Sequence, residues 1–132
     1  MSAEATEKRK LILIVEDVES TREVIELSLR DLGTDFRHAG NGLEGLRLAA
    51  ELLPDLIVLD LALPKVKGDE VLRVLRTDPA TKEVPVLVVT AHGQSGMART
   101  VIDMGADAFM EKPFLPVELL AAAHELLKRR TG

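Results

Sequence analysis

The feature that most constrains this chain is an alternation: apolar runs too short for helices take turns with longer stretches whose apolar residues recur at helical spacing. Residues 11–15, 56–59 and 84–89 are dominated by Leu, Ile and Val, the pattern of strands covered on both faces. Residues 35–39 mix Asp35, Arg37 and His38 with Phe36 and Ala39, as an edge strand would, and residues 107–110 form a fifth, equally weak run. The first amphipathic stretch, 20–32, spaces Val24, Ile25, Ser28, Leu29 and Leu32 on one helical side, with Gly33 as its stop. The second, 43–53, repeats the pattern with Leu43, Leu46, Ala50 and Leu53, ended by Pro54. Shorter helices are predicted over 69–76 and near 95–104. The last opens at Pro116 and carries Leu119, Leu120, Ala123 and Leu127 toward Lys128, Arg129 and Arg130, whose charges suit its C-terminal dipole.

Five β-α units in series call for right-handed crossovers and a parallel sheet with helices on both faces. Placing the apolar strands inside and the mixed ones at the edges predicts an α/β, doubly wound, five-stranded sheet of order 2-1-3-4-5, a flavodoxin-like (βα)5 fold. In that order the ligand crevice lies beyond the carboxyl ends of strands one and three. A length of 132 residues fits one domain, expected over 10–130. Residues 1–9 read as a disordered tail, because they offer almost no apolar surface to offset ordering entropy. A net charge of −5 and few aromatics argue against a nucleic-acid partner, and the absence of cysteine excludes disulfides and thiolate metal sites. No apolar run approaches the ~20 residues of a membrane span, so no membrane insertion and a cytoplasmic location are expected.

The strand ends carry a distinctive set: Glu16-Asp17 after the first, Asp60 after the third, Thr90 after the fourth and Lys112 after the fifth. Each alone is an ordinary turn or capping residue. Together they place three carboxylates in one crevice, whose repulsion a hard cation with oxygen ligands relieves; Mg²⁺ fits, with Mn²⁺ as a substitute. A phosphoryl group needs its equatorial oxygens neutralised, and a metal, the Lys112 ammonium and the Thr90 hydroxyl can do so from different sides. A carboxylate is a competent nucleophile that forms an aspartyl phosphate, and Asp60, central in the sheet, is the candidate phosphoacceptor.

In these residues the chain resembles a two-component response-regulator receiver domain, single-domain and chemotaxis-receiver-like, from about Lys10 to Lys128. The carrying motifs are Val15-Glu16-Asp17, Asp55 to Pro64 leading to Gly68, Val86 to Ala91, Gly105-Ala106-Asp107 and Lys112-Pro113-Phe114. The resemblance implies a phosphoacceptor that catalyses only its own phosphorylation and slow dephosphorylation. The donor would be the phosphohistidine of a sensor histidine kinase or phosphotransfer protein. Asp17, Asp60 and the backbone carbonyl of Ala62 would hold Mg²⁺, Glu16 acting largely through a metal-bound water, with Thr90 and Lys112 on the phosphoryl oxygens. It also implies a switch in which the Thr90 hydroxyl is drawn to the phosphoryl group and Phe109 turns inward. The output would leave through the face of the fourth helix, fifth strand and fifth helix, with Met97, Arg99 and Phe109, toward a protein target or a second copy of the chain. Ala62 and His92 occupy rate-tuning positions, and Lys112-Pro113 a position where a cis bond is usual. Lys65 and Lys67 depart from the family pattern and read as solvated loop charges.

The main alternative is a phosphorylation-independent interaction module of the same fold, against which the intact acidic, Thr and Lys set argues. A haloacid-dehalogenase-type hydrolase would want Asp where Ala62 stands. A nucleotide or flavin binder would want a Gly- or Ser-rich loop where Glu16-Asp17-Val18-Glu19 stands.

Overall fold

The computed structural model describes residues 9–91 and 97–130. Five strands, β1 (Leu11–Val15), β2 (Asp35–Ala39), β3 (Leu56–Leu59), β4 (Val86–Ala91) and β5 (Ala108–Lys112), alternate with five helices, α1 (Glu19–Leu29), α2 (Gly42–Leu52), α3 (Gly68–Thr77), α4 (Met97–Asp103) and α5 (Pro116–Arg130), among the described residues. The strands pair in parallel in the order β2-β1-β3-β4-β5, as the apolar and mixed runs predicted. The physical reason is visible in burial: β1 and β3 lie covered on both sides, whereas β2 alternates between exposed and covered positions at the edge.

Strand alternation splits the core in two. Leu13, Val15, Ile57, Leu59, Val86 and Val88 face α2, α3 and α4. Ile12, Ile14, Leu56, Val58, Leu87 and Val89 face α1 and α5, where Ile25, Leu29, Leu119, Ala123, Leu126 and Leu127 meet them. Helix α1 passes into a 3₁₀ turn over Arg30–Leu32, and Gly33 closes it in the left-handed region at φ +71°.

Helix α2 corrects the sequence reading. Its core side is Gly42, Gly45, Leu48 and Ala49, whereas Leu43 and Ala50 are exposed. Leu53 lies outside the helix, half exposed, in the left-handed region at φ +48°. Of the expected face only Leu46 packs, partly buried, against the core; periodicity misassigned the rest because glycines carry no apolar signal, yet here their lack of a side chain lets the helix approach the sheet. A Cβ at Gly45 would stand 2.8 Å from Val15 Cγ1, and one at Gly42 only 1.9 Å from the Val66 carbonyl oxygen. The helix starts at Asn41, whose side-chain oxygen accepts the Glu44 N–H at 2.8 Å while the Glu44 carboxylate accepts the Gly40 N–H at 2.9 Å.

The end of the sheet remote from the strand carboxyl termini is tied by Arg76. Its guanidinium donates to the carbonyls of Gly105, Lys82 and Val84 and to Asp107 Oδ2, which also accepts the Val86 N–H. Residues 1–8 of the sequence-assigned tail lie outside the described residues. Arg9 donates to the Gly33 and Thr34 carbonyls at 3.1 and 3.2 Å.

Two substitutions in and beside α2 should move stability in opposite directions. Gly42→Ala should destabilise by about 1–3 kcal/mol through the backbone clash, and Leu53→Gly should stabilise by roughly 0.5–1 kcal/mol by relieving the left-handed conformation. Urea unfolding followed by far-UV circular dichroism measures both, the chain having neither Trp nor Tyr.

Candidate phosphoacceptor site

Because parallel strands all run the same way, their carboxyl ends share one edge of the sheet, where Glu16, Asp60, Thr90 and Lys112 stand at the ends of β1, β3, β4 and β5. Backbone bonds lock the loops in register: the Asp60 N–H donates to the Val15 carbonyl at 3.0 Å and the Glu16 N–H to the Ala39 carbonyl at 3.0 Å. Gly68, at the start of α3, lies so close to the loop after β3 that a Cβ there would be 2.4 Å from the Asp60 carbonyl oxygen.

Asp60 is buried and held from three directions. Its Oδ1 accepts the Thr90 hydroxyl at 3.0 Å and the Ala62 N–H at 3.1 Å, and its Oδ2 accepts from Lys112 Nζ at 3.2 Å. The shorter contact of Lys112 is to Glu16, whose Oε1 accepts from Nζ at 2.6 Å. Glu16, 1% exposed, is further held by the Val18 N–H on Oε2 at 3.2 Å. Arg22 of α1 donates to the Glu16 backbone carbonyl at 2.8 Å. Asp17 stands exposed at the rim.

Burial pushes the Glu16 carboxyl above its ordinary pKa; the hydrogen bond from Lys112 opposes the shift, and the Asp60 charge adds to it. Burial also works against the Lys112 ammonium, but its hydrogen bond to Glu16 and the two nearby carboxylates outweigh that, so its pKa is raised. The Lys112 charge is therefore held in place by the same carboxylates it neutralises.

Glu16, Asp17 and Asp60 can present oxygens within 4.8 Å of one another. Three carboxylates and the one ammonium of Lys112 leave two negative charges, which one hard divalent cation matches in sign and in oxygen-donor preference. The residues therefore fit Mg²⁺. The structure brings together five of the residues singled out from the sequence, Glu16, Asp17, Asp60, Thr90 and Lys112, with Ala62 exposed beside them. Phe109, paired in register with Val88, packs partly buried against the core on the α4 side of the sheet, the side Thr90 shares by strand alternation. The peptide bond Lys112-Pro113 is cis. Lys65 and Lys67 are exposed, Lys65 at φ +69°. His92, assigned a rate-tuning position from the sequence, lies outside the described residues.

Sequence reasoning missed the two contacts that shape Glu16. The Lys112 pair spans 96 positions and no local pattern announces it. Arg22 resembles any solvated helix charge until α1 is docked beside the loop.

Residues 12–124 match the response regulator receiver domain family. The chain belongs to this family, whose members are phosphoacceptor signalling modules of two-component systems. Among its relatives is the DNA-binding dual master transcriptional regulator RpaA of Synechocystis sp., 42% identical over 118 residues, an alignment covering 89% of this chain and 49% of RpaA. The chain thus spans about half the length of the curated relatives it matches. Solved structures similar to it include the signal receiver domain of a signal transduction histidine kinase from Syntrophus aciditrophicus, at 31% identity and a TM-score of 0.83, with 91% of each chain covered. The chemotaxis response regulator CheY4 of Vibrio cholerae, at 27% identity and a TM-score of 0.80, matches over 89% of this chain and 98% of its own. The same fold thus stands beside different outputs. No helix among the described residues is long and apolar enough to cross a membrane.

Mg²⁺ should raise unfolding stability, by about 2.7 kcal/mol at a hundredfold excess over its dissociation constant. Asp17→Asn should abolish this gain while raising metal-free stability by about 1 kcal/mol through relieved repulsion. Mg²⁺ takes the ionised carboxylates, so its affinity should fall as pH falls. Because the Glu16 pKa is raised, the fall should begin at higher pH than for an ordinary glutamate. In the metal-free protein the sign reverses: a carboxyl whose folded pKa is raised costs stability above that pKa, and the cost is relieved as pH drops through it. Urea titrations across pH, with and without Mg²⁺, separate the two trends.

Proposed function

We propose that the protein is a cytoplasmic response regulator that accepts a phosphoryl group from the phosphohistidine of a sensor kinase or phosphotransfer protein onto Asp60. The observation carrying this reading is the set of contacts on the Asp60 carboxylate, with Thr90 and Ala62 N–H on one oxygen, Lys112 on the other and two more carboxylates alongside. An Asp60 oxygen attacks phosphorus as the phosphorus–nitrogen bond of the donor breaks and its imidazole keeps the electron pair. The product is an acyl phosphate. Mg²⁺, bound by Asp17, Asp60 and the Ala62 carbonyl, with Glu16 contributing through a metal-bound water, would neutralise phosphoryl oxygens.

Lys112 is already within reach of Asp60 Oδ2, so its ammonium can pass to a new phosphoryl oxygen without a large movement. The hydroxyl of Thr90 likewise needs only to exchange the Asp60 oxygen for a phosphoryl one. That exchange draws the end of β4 toward Asp60. Phe109, on the same side of the sheet, follows it and repacks the face of α4, β5 and α5. The shift in population of that face cannot exceed the phosphoryl group's differential interaction with its two arrangements. The switched face then binds a protein target or a second copy of the chain.

Intact mass spectrometry with Mg²⁺ and a small acyl or amido phosphate donor tests the first step. A gain of ~80 Da, absent without Mg²⁺ and absent in Asp60→Asn, is expected. No gain under any donor in a folded protein would replace this reading with a phosphorylation-independent interaction module. Thr90→Ala should still gain the phosphoryl mass but lose the donor-dependent shift of backbone resonances in β5 and α5.

A further inference from the structure

All four polar groups of Glu16 are partnered. Its N–H donates to the Ala39 carbonyl at 3.0 Å, its two carboxylate oxygens accept from Lys112 and from the Val18 N–H, and its carbonyl accepts from Arg22 Nη1 at 2.8 Å. Asp17, one residue on, stands exposed, so the direction of its carboxylate follows the backbone that carries it. The carbonyl held by Arg22 belongs to the planar peptide that joins Glu16 to Asp17, and fixing one atom pair of that plane restricts the rest.

Arg22 reaches this carbonyl from α1. Residues 22, 25 and 29 lie on one side of the helix, and Ile25 and Leu29 bury that side against the sheet. The docking of α1 therefore aims Arg22 at the loop after β1. Its Nη1 also lies over the end of β2, where a Cβ built on Gly40 would stand 3.7 Å away. Its hydrogen bond goes to a neutral carbonyl rather than to one of the three carboxylates of the crevice.

Two effects on a cation in the crevice then oppose each other. As a positive charge, Arg22 repels it. As a clamp on the Glu16–Asp17 peptide, Arg22 fixes where two of the three carboxylates stand. Mg²⁺ demands near-ideal octahedral geometry with oxygens at about 2.0–2.1 Å, whereas Ca²⁺ accepts about 2.3–2.6 Å and irregular coordination. A clamp therefore matters to the first cation and little to the second.

We infer that Arg22 is a positioning residue that sets the cation preference of the crevice: by holding the Glu16–Asp17 peptide it favours the small, octahedral Mg²⁺ over Ca²⁺. The inference rests on the reading of Glu16, Asp17 and Asp60 as a Mg²⁺ site.

Separate titrations of the full chain with MgCl₂ and CaCl₂ at fixed ionic strength, followed by the amide chemical shifts of residues 16–18 and 60–62, test it. Arg22→Met keeps the apolar stem and removes both donor and charge. It should weaken Mg²⁺ about tenfold, the effect of one lost charge-assisted hydrogen bond, and Ca²⁺ by less than about twofold. Arg22→Lys returns an ammonium donor and should recover part of the Mg²⁺ affinity. A role through charge alone would make Arg22→Met bind both cations more tightly, and a role in stability alone would move the urea midpoint and leave the ratio of the two affinities unchanged. Mg²⁺ binding that is unchanged or tighter in Arg22→Met overturns the inference, as does an equal loss for both cations or no recovery by lysine. Absence of saturable Mg²⁺ shifts in the unsubstituted chain overturns the Mg²⁺ reading and this inference with it, a failure seen before any variant is made.

Discussion

The arrangement around Asp60 depends on one electrostatic constraint: three carboxylates are brought within a few ångströms at an edge of a low-dielectric core, and Lys112 alone among the described residues bridges two of them. Glu16, nearly wholly buried, would be costly as an unpaired charge, and its short contact to Lys112 is what makes its burial tolerable. The pair ties β1 to β5 across the sheet through side chains rather than backbone bonds. The residual negative charge is then not an imperfection of the fold. It is a local charge that a hard divalent cation matches in sign and in donor type.

The fold delivers that constraint by direction alone. Parallel strands place all their carboxyl ends on one edge, so residues 16, 60, 90 and 112, far apart in the chain, meet there. Tight backbone approaches keep the loops there. Gly68 permits α3 to begin against the Asp60 carbonyl, and Gly42 and Gly45 let α2 settle on Val15 and Val66. At the other end Arg76 gathers three carbonyls and Asp107, tying α3 to the starts of β4 and β5. A cation staples each end, Arg76 among the carbonyls and Lys112 among the carboxylates.

The relatives separate the module from its output. A DNA-binding regulator about twice as long, a receiver from a histidine kinase and a chemotaxis regulator all share this domain. The receiver fold is common to all of them, whereas the partner depends on what meets its surface. That division follows from physics: phosphoryl oxygens impose a strict set of charges and donors, while a docking face requires only shape and exposed area.

The alternation of apolar runs and amphipathic stretches was enough to determine the layered α/β class, the interior position of β1, β3 and β4 and the order of the sheet, because strand burial and crossover handedness are expressed in composition and sequence order. That Glu16, Asp17, Asp60, Thr90 and Lys112 would meet was equally legible, since parallel strands put their carboxyl ends on one edge. The buried face of α2 was not: glycines at Gly42 and Gly45 give no hydrophobic signal, and only the docked helix shows that absence of a side chain is what fits there. Nor was the Lys112–Glu16 pair, the hold of Arg22 on the Glu16 carbonyl or the orphaned Thr34 hydroxyl. Sequence encodes what each segment prefers by itself; which buried group meets which, and which meets none, is decided only when distant segments are brought to a common surface and water is excluded between them.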